Sequence, residues 1–362
     1  MKTAFIAPFS MDSLRGTPIR AKTIVRGRSE VSDVYLVAFS SATVNLPSDH
    51  RFELGRCGFF TFTRRTVRIL RSIRPDVLHG FTTLSVVPML LYKIFFHWRV
   101  KIIYEVHGWA WYEQSRTGRP HIRFLFHLID LIGLWSANAI IAVSNSYKTF
   151  LSKRTWNSER ITVIWDAAEF EVEYSPPPAH EGLIVGYIGG AGWWQGLPFI
   201  IGAAKILAER KDIKFVIAGF EPKDEALFPR IPNISYRGYV ERKDVVNFIT
   251  ACDAMLSTRV EETAGNLLFP LKLAEYMAAG RPVISSGAGD QVEIIQDAKC
   301  GIVVTPITAE ALAKAIEKVA SMSAGEREEW GRNALAYARK NLLFPASKRK
   351  LSALYQTLGA KE

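Results

Sequence analysis

Residues 265–286 read GNLLFPLKLAEYMAAGRPVISS, and the fold can be worked outward from this stretch. Pro270 has the fixed φ that suits the first turn of a helix. Lys272, Glu275 and Ala279 follow at i, i+3 and i+7, on one face. Gly280 stops the helix, and Arg281-Pro282 leads into a β-branched run at Val283 and Ile284. A helix followed by a short apolar strand is half of a βαβ unit, and the same alternation runs along the chain. Apolar runs lie at residues 3–8, 34–39, 77–80, 101–106 and 139–143. A second series lies at 183–188, 214–218, 254–257, 282–285 and 301–304. Such runs, separated by amphipathic helical stretches, read as buried parallel strands. Between the two series, residues 169–181 (EFEVEYSPPPAHE) carry three consecutive prolines and read as a linker. The pattern predicts an α/β protein of two doubly wound, Rossmann-like domains facing across a cleft. The first spans 1–168, the linker 169–181 and the second 182–340, with a C-terminal helical segment over 341–362. In two-domain folds of this kind the last helix often crosses back to the first domain, which the sequence alone leaves open.

The chain has 362 residues, enough for two domains, and an ordinary globular composition with 48% hydrophobic residues. Its formal net charge of +11 is unevenly placed: residues 1–150 hold 20 Lys+Arg against 9 Asp+Glu, whereas the remainder is balanced. A basic first half suggests an anionic partner such as lipid, nucleic acid or a phosphorylated substrate. No helix-turn-helix, zinc finger or aromatic-basic RNA motif is present, so nucleic acid is not expected. Cys57, Cys252 and Cys300 have no CxxC spacing, which points to neither a disulfide framework nor a zinc site and suits a reducing cytosol. The longest apolar run, residues 84–98, contains Pro88 and Lys93 and is shorter than a spanning helix requires.

In the 265–286 stretch, the helix N-terminus offers unpaired N–H groups and partial positive charge to a phosphate. Lys272 adds a full charge in the first turn, and Glu275, one turn on, can accept hydrogen bonds from a vicinal diol such as a ribose. A solvated i,i+3 ion pair is the plainer alternative. The Gly189, Gly190 and Gly192 loop after the 183–188 strand would let backbone approach a phosphate closely. His107 ends the 101–106 strand, on the side where ligands of such sheets bind.

The stretch P-x-K-x-x-E-Y-M-A-x-G-x-P-V-I at residues 270–284 resembles the donor-site signature of retaining GT-B glycosyltransferases. These are the group 1 glycosyl transferases, which include glycogen synthases and phosphatidylinositol mannosyltransferases. Further segments are similar in order and spacing: FSMDSLRGTP (9–18), RPDVLHG (74–80), YEVHG (104–108), IIAVS (140–144), ITVIWD (161–166), VGYIGGAGWWQG (185–196), NISYRGYV (233–240) and GIVVTP (301–306). The resemblance implies a donor that is a nucleotide diphosphate sugar, UDP- or GDP-linked, with no separate cofactor. It places Lys272, Gly189, Gly190, Gly192 and Gln195 at the diphosphate and Glu275 at the ribose. His107 would contact the transferred sugar, making His107, Glu275 and Lys272 the catalytic set. Gly16, His107 and Trp109 fall on the acceptor side. The family retains anomeric configuration, and the usual proposal is front-face attack in which the leaving diphosphate takes the acceptor proton. No metal is expected, since basic groups stand in for it and no D-x-D motif or ligand cluster occurs.

The chain departs from the pattern at three places. Gly190 and Gln195 stand where many relatives carry Arg and Lys, and Leu267 stands where a second Glu precedes Glu275 by eight residues. Glu261 and Glu262 lie too far back to fill that slot without a loop shift. Arg259 is a candidate replacement cation, with a solvated loop arginine as its alternative. An inactive GT-B subunit that binds nucleotide sugar or glycan beside a partner enzyme is therefore an alternative to an active transferase.

The densest basic stretch is residues 59–74, FFTFTRRTVRILRSIR. Phe59, Phe62, Val67, Leu70 and Ile73 recur near helical spacing, while Arg64, Arg65, Arg68, Arg71 and Arg74 take other faces. A basic amphipathic helix reads as a membrane-surface element, released by high salt, and the plainer alternative is a domain helix that packs its apolar stripe on the sheet with its arginines solvated. The expectation is a cytoplasmic protein, peripheral on the inner membrane face, with a glycan or lipid-linked acceptor. Trp98, Trp109 and Trp111 are candidate interfacial anchors, with core packing or lining of the acceptor site as the alternatives.

Overall fold

The computed structural model describes residues 1–13, 16–109, 111, 119–220 and 228–359. These form two compact units, Met1–Trp165 with Ser347–Glu362, and Asp166–Ala346. The breaks fall a few residues from the expected 168/169 and 340/341. Residues 169–181 belong to the second unit for a local reason. Ala168 pairs with the chain at Leu343 as an isolated parallel bridge, and the buried Arg281 donates through Nη1 to Ser175 O (2.9 Å). From Ser347 onward the chain is part of the first unit. Leu351, Leu354 and Tyr355 lie in one core cluster with Phe5, Ile24 and Leu36.

The first unit contains β1 (Lys2–Ser10), β2 (Asp33–Ser40), β3 (Arg51–Glu53), β4 (Val77–Phe81), β5 (Lys101–Val106), β6 (Ala139–Ala142) and β7 (Ile161–Val163). They form one parallel sheet in the order β3-β2-β1-β4-β5-β6-β7, with Phe5 opposite Leu36 on one side and His79 on the other. The five long strands follow the apolar runs, and the three-residue edges β3 and β7 complete the sheet. Alternation along the strands separates the faces. Phe5, Phe81 and Ile103 point into the cluster with Ile24 and Leu354. Gly80 and Tyr104 point the other way: a Cβ on Gly80 would meet Met89 at 2.3 Å, and Tyr104 OH donates to Asp130 Oδ1 (2.7 Å).

The second unit contains β8 (Leu183–Ile188), β9 (Ile213–Ala218), β10 (Ile234–Tyr236), β11 (Ala254–Ser257), β12 (Val283–Ser286) and β13 (Gly301–Val304). Their parallel order is β10-β9-β8-β11-β12-β13. The strand order reverses at β1 in one sheet and at β8 in the other. At such points adjacent crossovers leave in opposite directions and open a ligand crevice.

Candidate functional site

The helix Leu271–Ala278 begins directly after Pro270, and every residue in it but Leu271 is buried. Tyr276 fixes its position. The Tyr276 hydroxyl donates to Ile188 O (3.1 Å) and accepts from Ile188 N (3.0 Å), pinning the helix to the end of β8. Lys272 is thereby held over the loop after β8. Its Nζ donates to Gln195 Oε1 (2.7 Å) and Tyr187 OH (3.1 Å) and lies 4.2 Å from the Tyr187 ring centroid. The Tyr187 hydroxyl donates in turn to Gly190 O (3.0 Å). A Cβ on Gly189 would approach Lys272 Nζ to 3.1 Å, whereas one on Gly190 would meet nothing. Thus Lys272, Gly189, Gly190 and Gln195 come together. Gly192 lies in the same loop, where a Cβ would crowd the Trp194 ring at 2.9 Å.

Burial, reinforced by Arg259, holds the Lys272 ammonium well below the ordinary lysine value, against the pull of Glu275. A second lysine in place of Gln195 would confront this ammonium at hydrogen-bond distance. The neutral amide instead gives it an acceptor.

Arg259 is buried rather than solvated. Its Nη1 donates to Leu268 O (2.7 Å) and Gly265 O (3.2 Å), tying down the approach to the Lys272 helix. Burial brings its pKa down to about 10, and its Nε has no hydrogen-bond partner among the described residues. Glu275 turns to another neighbour. Arg242, in the short turn Arg242–Asp244, donates through Nη1 to Glu275 Oε1. Burial raises the Glu275 carboxyl's pKa, and Arg242 works against that rise. Glu275 and Lys272 are therefore not the solvated pair that spacing alone allows. Leu267 is buried, and Glu261 Oε1 accepts from Ile307 N and Thr305 Oγ1 (both 3.1 Å), which occupies it as a clip between loops.

Backbone geometry shapes the loop at residues 189–192. Gly219 follows β9 at φ +91°, and a Cβ there would fall 2.6 Å from Gly189 N. Gly219→Ala is expected to destabilise the second unit by about 1–3 kcal/mol, seen as a lower urea midpoint. An unchanged midpoint would show that the 189–192 loop yields.

In the first unit, Glu105 near the end of β5 is fully buried. It accepts from Arg20 Nε at Oε1 (2.7 Å) and from His79 Nε2 at Oε2 (3.1 Å). His107 Nε2 lies 2.7 Å from Glu105 Oε1, off the line of a good hydrogen bond. Burial alone would raise the Glu105 carboxyl, but Arg20 and His107 hold it well below the usual range. Burial outweighs Glu105 at His79 and keeps that imidazole's pKa low. A neutral His79 must carry its proton on Nε2 to bond a carboxylate. Its Nδ1 then accepts from Tyr355 OH (2.9 Å) on the C-terminal helix Phe344–Thr357. Glu105 was missed from sequence, although a carboxylate inside an apolar strand was a visible signal. Arg242 carried no such signal, because its meeting with Glu275 depends on tertiary structure.

Gly16 begins the helix Gly16–Ser29, with nothing within 4 Å of where its Cβ would be; Leu14 and Arg15 lie outside the described residues. Trp109 is not an interfacial anchor. It is buried, donates through Nε1 to His127 Nδ1 (3.1 Å) and packs edge-on to Phe150. The helix Phe59–Ile73 buries Phe62, Thr63, Thr66, Leu70 and Ile73, and leaves Arg64, Arg65, Arg68, Arg71 and Arg74 exposed. Two threonines thus share its inner face with the expected apolar stripe. No helix among the described residues is long and apolar enough to cross a membrane, and no group of three or more His, Cys, Asp or Glu among them could hold a metal ion.

Residues 182–322 match the family described as glycosyl transferases group 1, and residues 29–168 match glycosyltransferase family 4. The α-D-kanosaminyltransferase of Streptomyces kanamyceticus is 26% identical over 184 residues, 49% of this chain and 46% of the relative. The chain spans about half the length of the curated relatives it matches. HepE of Anabaena, solved in complex with UDP, superposes with TM-score 0.78 at 16% identity, over 99% of this chain and 100% of that one. The sucrose-phosphate synthase of Thermosynechococcus elongatus gives 0.76 at 18% identity, over 99% of both chains. At these identities the structural likeness speaks for the fold, which is GT-B. With both halves matched, the chain belongs to the group 1 glycosyl transferases.

Proposed function

We propose that the protein is a retaining, metal-independent glycosyltransferase. It moves a sugar from a UDP- or GDP-linked donor to a glycan or lipid-linked acceptor at the cytoplasmic face of a membrane. The observation that carries this reading is the pair of buried cations, Lys272 and Arg259, beside the glycine loop after β8. Neither side chain has an ion pair with a carboxylate among the described residues, although Glu275 and Asp166 act on them from further off. Such a pair favours an anion, and the start of the 271–278 helix adds N–H donors. HepE, solved with UDP and glucose, has the same fold.

In this reading Lys272 and Arg259 face the diphosphate, and Glu275, oriented by Arg242, accepts from the ribose hydroxyls. The bond from the anomeric carbon to the β-phosphate oxygen breaks, and the acceptor oxygen bonds that carbon on the same face. The acceptor proton passes to the leaving phosphate, whose charge Lys272 stabilises. His107 is the residue of the first unit assigned to the reacting sugar, and Glu105 is its positioning residue. Arg64, Arg65, Arg68 and Arg71 meet the membrane.

Calorimetry with UDP, GDP, ADP and their sugars tests the donor assignment, which fails if none binds at millimolar concentration. In Glu275→Gln, nucleotide affinity is expected to fall about 10-fold, and discrimination between ribose and 2′-deoxyribose diphosphates should collapse. Retained discrimination would place the ribose elsewhere. Gly190 and Gln195, where relatives carry cations, favour a second reading as a subunit that binds donor without turnover. Transfer or slow hydrolysis of a radiolabelled donor, lost in His107→Ala, would dismiss it.

A further inference from the structure

We infer that the outer face of three helices in the first unit inserts apolar side chains into an anionic bilayer. This deepens the membrane contact proposed above and rests on it. The helices Phe59–Ile73, Val86–Phe95 and Pro120–Ser136 pack side by side, with the second in the middle. Of the fourteen large apolar side chains exposed among the described residues, ten belong to these helices or to the turn after the second. Phe124, Leu128, Ile132 and Trp135 form an outward stripe at helical spacing, and all four are exposed. Phe95 and Trp98, at 68% and 72% exposure, continue the apolar surface at the end of the middle helix. An apolar face of this extent marks an interaction site.

The charges around it select the occupant. Arg71 stacks its guanidinium 4.7 Å from the Phe96 ring centroid, and Arg99 lies 4.9 Å from that of Trp98. Asp130 is the one acid in the three helices, and it is fully buried with Tyr104. The outward face is thus apolar and cationic without a carboxylate from these helices. A second copy docked face to face would bring arginine against arginine. A bilayer of anionic lipid accepts both components at once, with phosphates at the arginines and acyl chains under the apolar residues.

Arginine contact alone is screened by salt, whereas inserted side chains are not. The test is flotation with vesicles of phosphatidylcholine and phosphatidylglycerol, at low salt and at roughly 1 M, where the Debye length is about 3 Å. The wild-type protein is expected to float in both. Leu125→Ser, Leu128→Ser and Ile132→Ser combined change exposed positions and should leave the melting profile intact. This variant is expected to float at low salt but to partition ~100-fold less at high salt. Substituting Arg64, Arg65, Arg68 and Arg71 with Ser should instead weaken capture at low salt. Full release of wild type by salt, with the triple variant behaving alike, overturns insertion and leaves the membrane contact standing. A wild type that never floats overturns both. If the triple variant then dissociates a dimer seen by light scattering, the face is a protein interface.

Discussion

Lys272→Ala is expected to lower kcat/KM for sugar transfer by about 10²–10³-fold and donor affinity by about 10–100-fold. A charge-assisted contact to bound diphosphate contributes about 1.5–3 kcal/mol. In the proposed role the same ammonium would do more as charge builds on the leaving phosphate, so the transition state should suffer more than the ground state. Single-turnover kinetics with a labelled donor separates the two. Equal losses in binding and rate would mean that Lys272 only holds the nucleotide. Burial, reinforced by Arg259, depresses the Lys272 pKa. A diphosphate bound beside it would raise that pKa, so binding should take up protons between the free and bound pKa values. Titrations in buffers of different ionisation enthalpy read this directly. No uptake in the wild type would show that Lys272 does not face the donor's charge.

Glu105→Leu is expected to destabilise the first unit by about 3–5 kcal/mol, since it strands the buried Arg20 guanidinium without its carboxylate. Urea denaturation followed through tryptophan fluorescence measures this. A loss below about 1 kcal/mol would mean that the network relaxes onto water. The pH dependence has a definite sign. Glu105's folded pKa is depressed, so its stabilisation is present above the unfolded carboxylate value of about 4.3 and is lost as pH falls through the folded pKa. The milder Glu105→Gln keeps the shape and tests positioning. Transfer should fall while nucleotide binding, which the proposal places in the second unit, stays at wild-type strength. Parallel losses in both would make Glu105 a purely structural residue.

Most of the strand framework could be read in advance. Each long β-strand is a local apolar run bounded by turn residues, and its partners follow from right-handed crossovers between parallel strands. The edges β3 and β7 escaped a periodicity reading because three residues show no period. At the site, the helical repeat put Lys272 and Glu275 on one face, yet they serve different neighbours. Lys272 reaches Gln195 and Tyr187, whereas Glu275 reaches Arg242. Arg259 looked like a free loop cation, but desolvation drives its Nη1 onto the carbonyls of Gly265 and Leu268.

The sequence by itself determined the repeated βαβ rhythm, the helix carrying Lys272 and Glu275, and the concentration of positive charge in the first 150 residues. These are local properties: side-chain periodicity, turn chemistry and composition. Tertiary structure alone decided which buried charge meets which. It tied Glu105 to Arg20 and His79, and brought Tyr355 to His79 from 276 residues away. It also decided that Trp109 packs inside while Phe124, Leu128 and Ile132 face outward. The reason is that an apolar residue reads alike in a core or on an exposed helix face. A charge finds its partner only when crossover connections bring distant strand ends together.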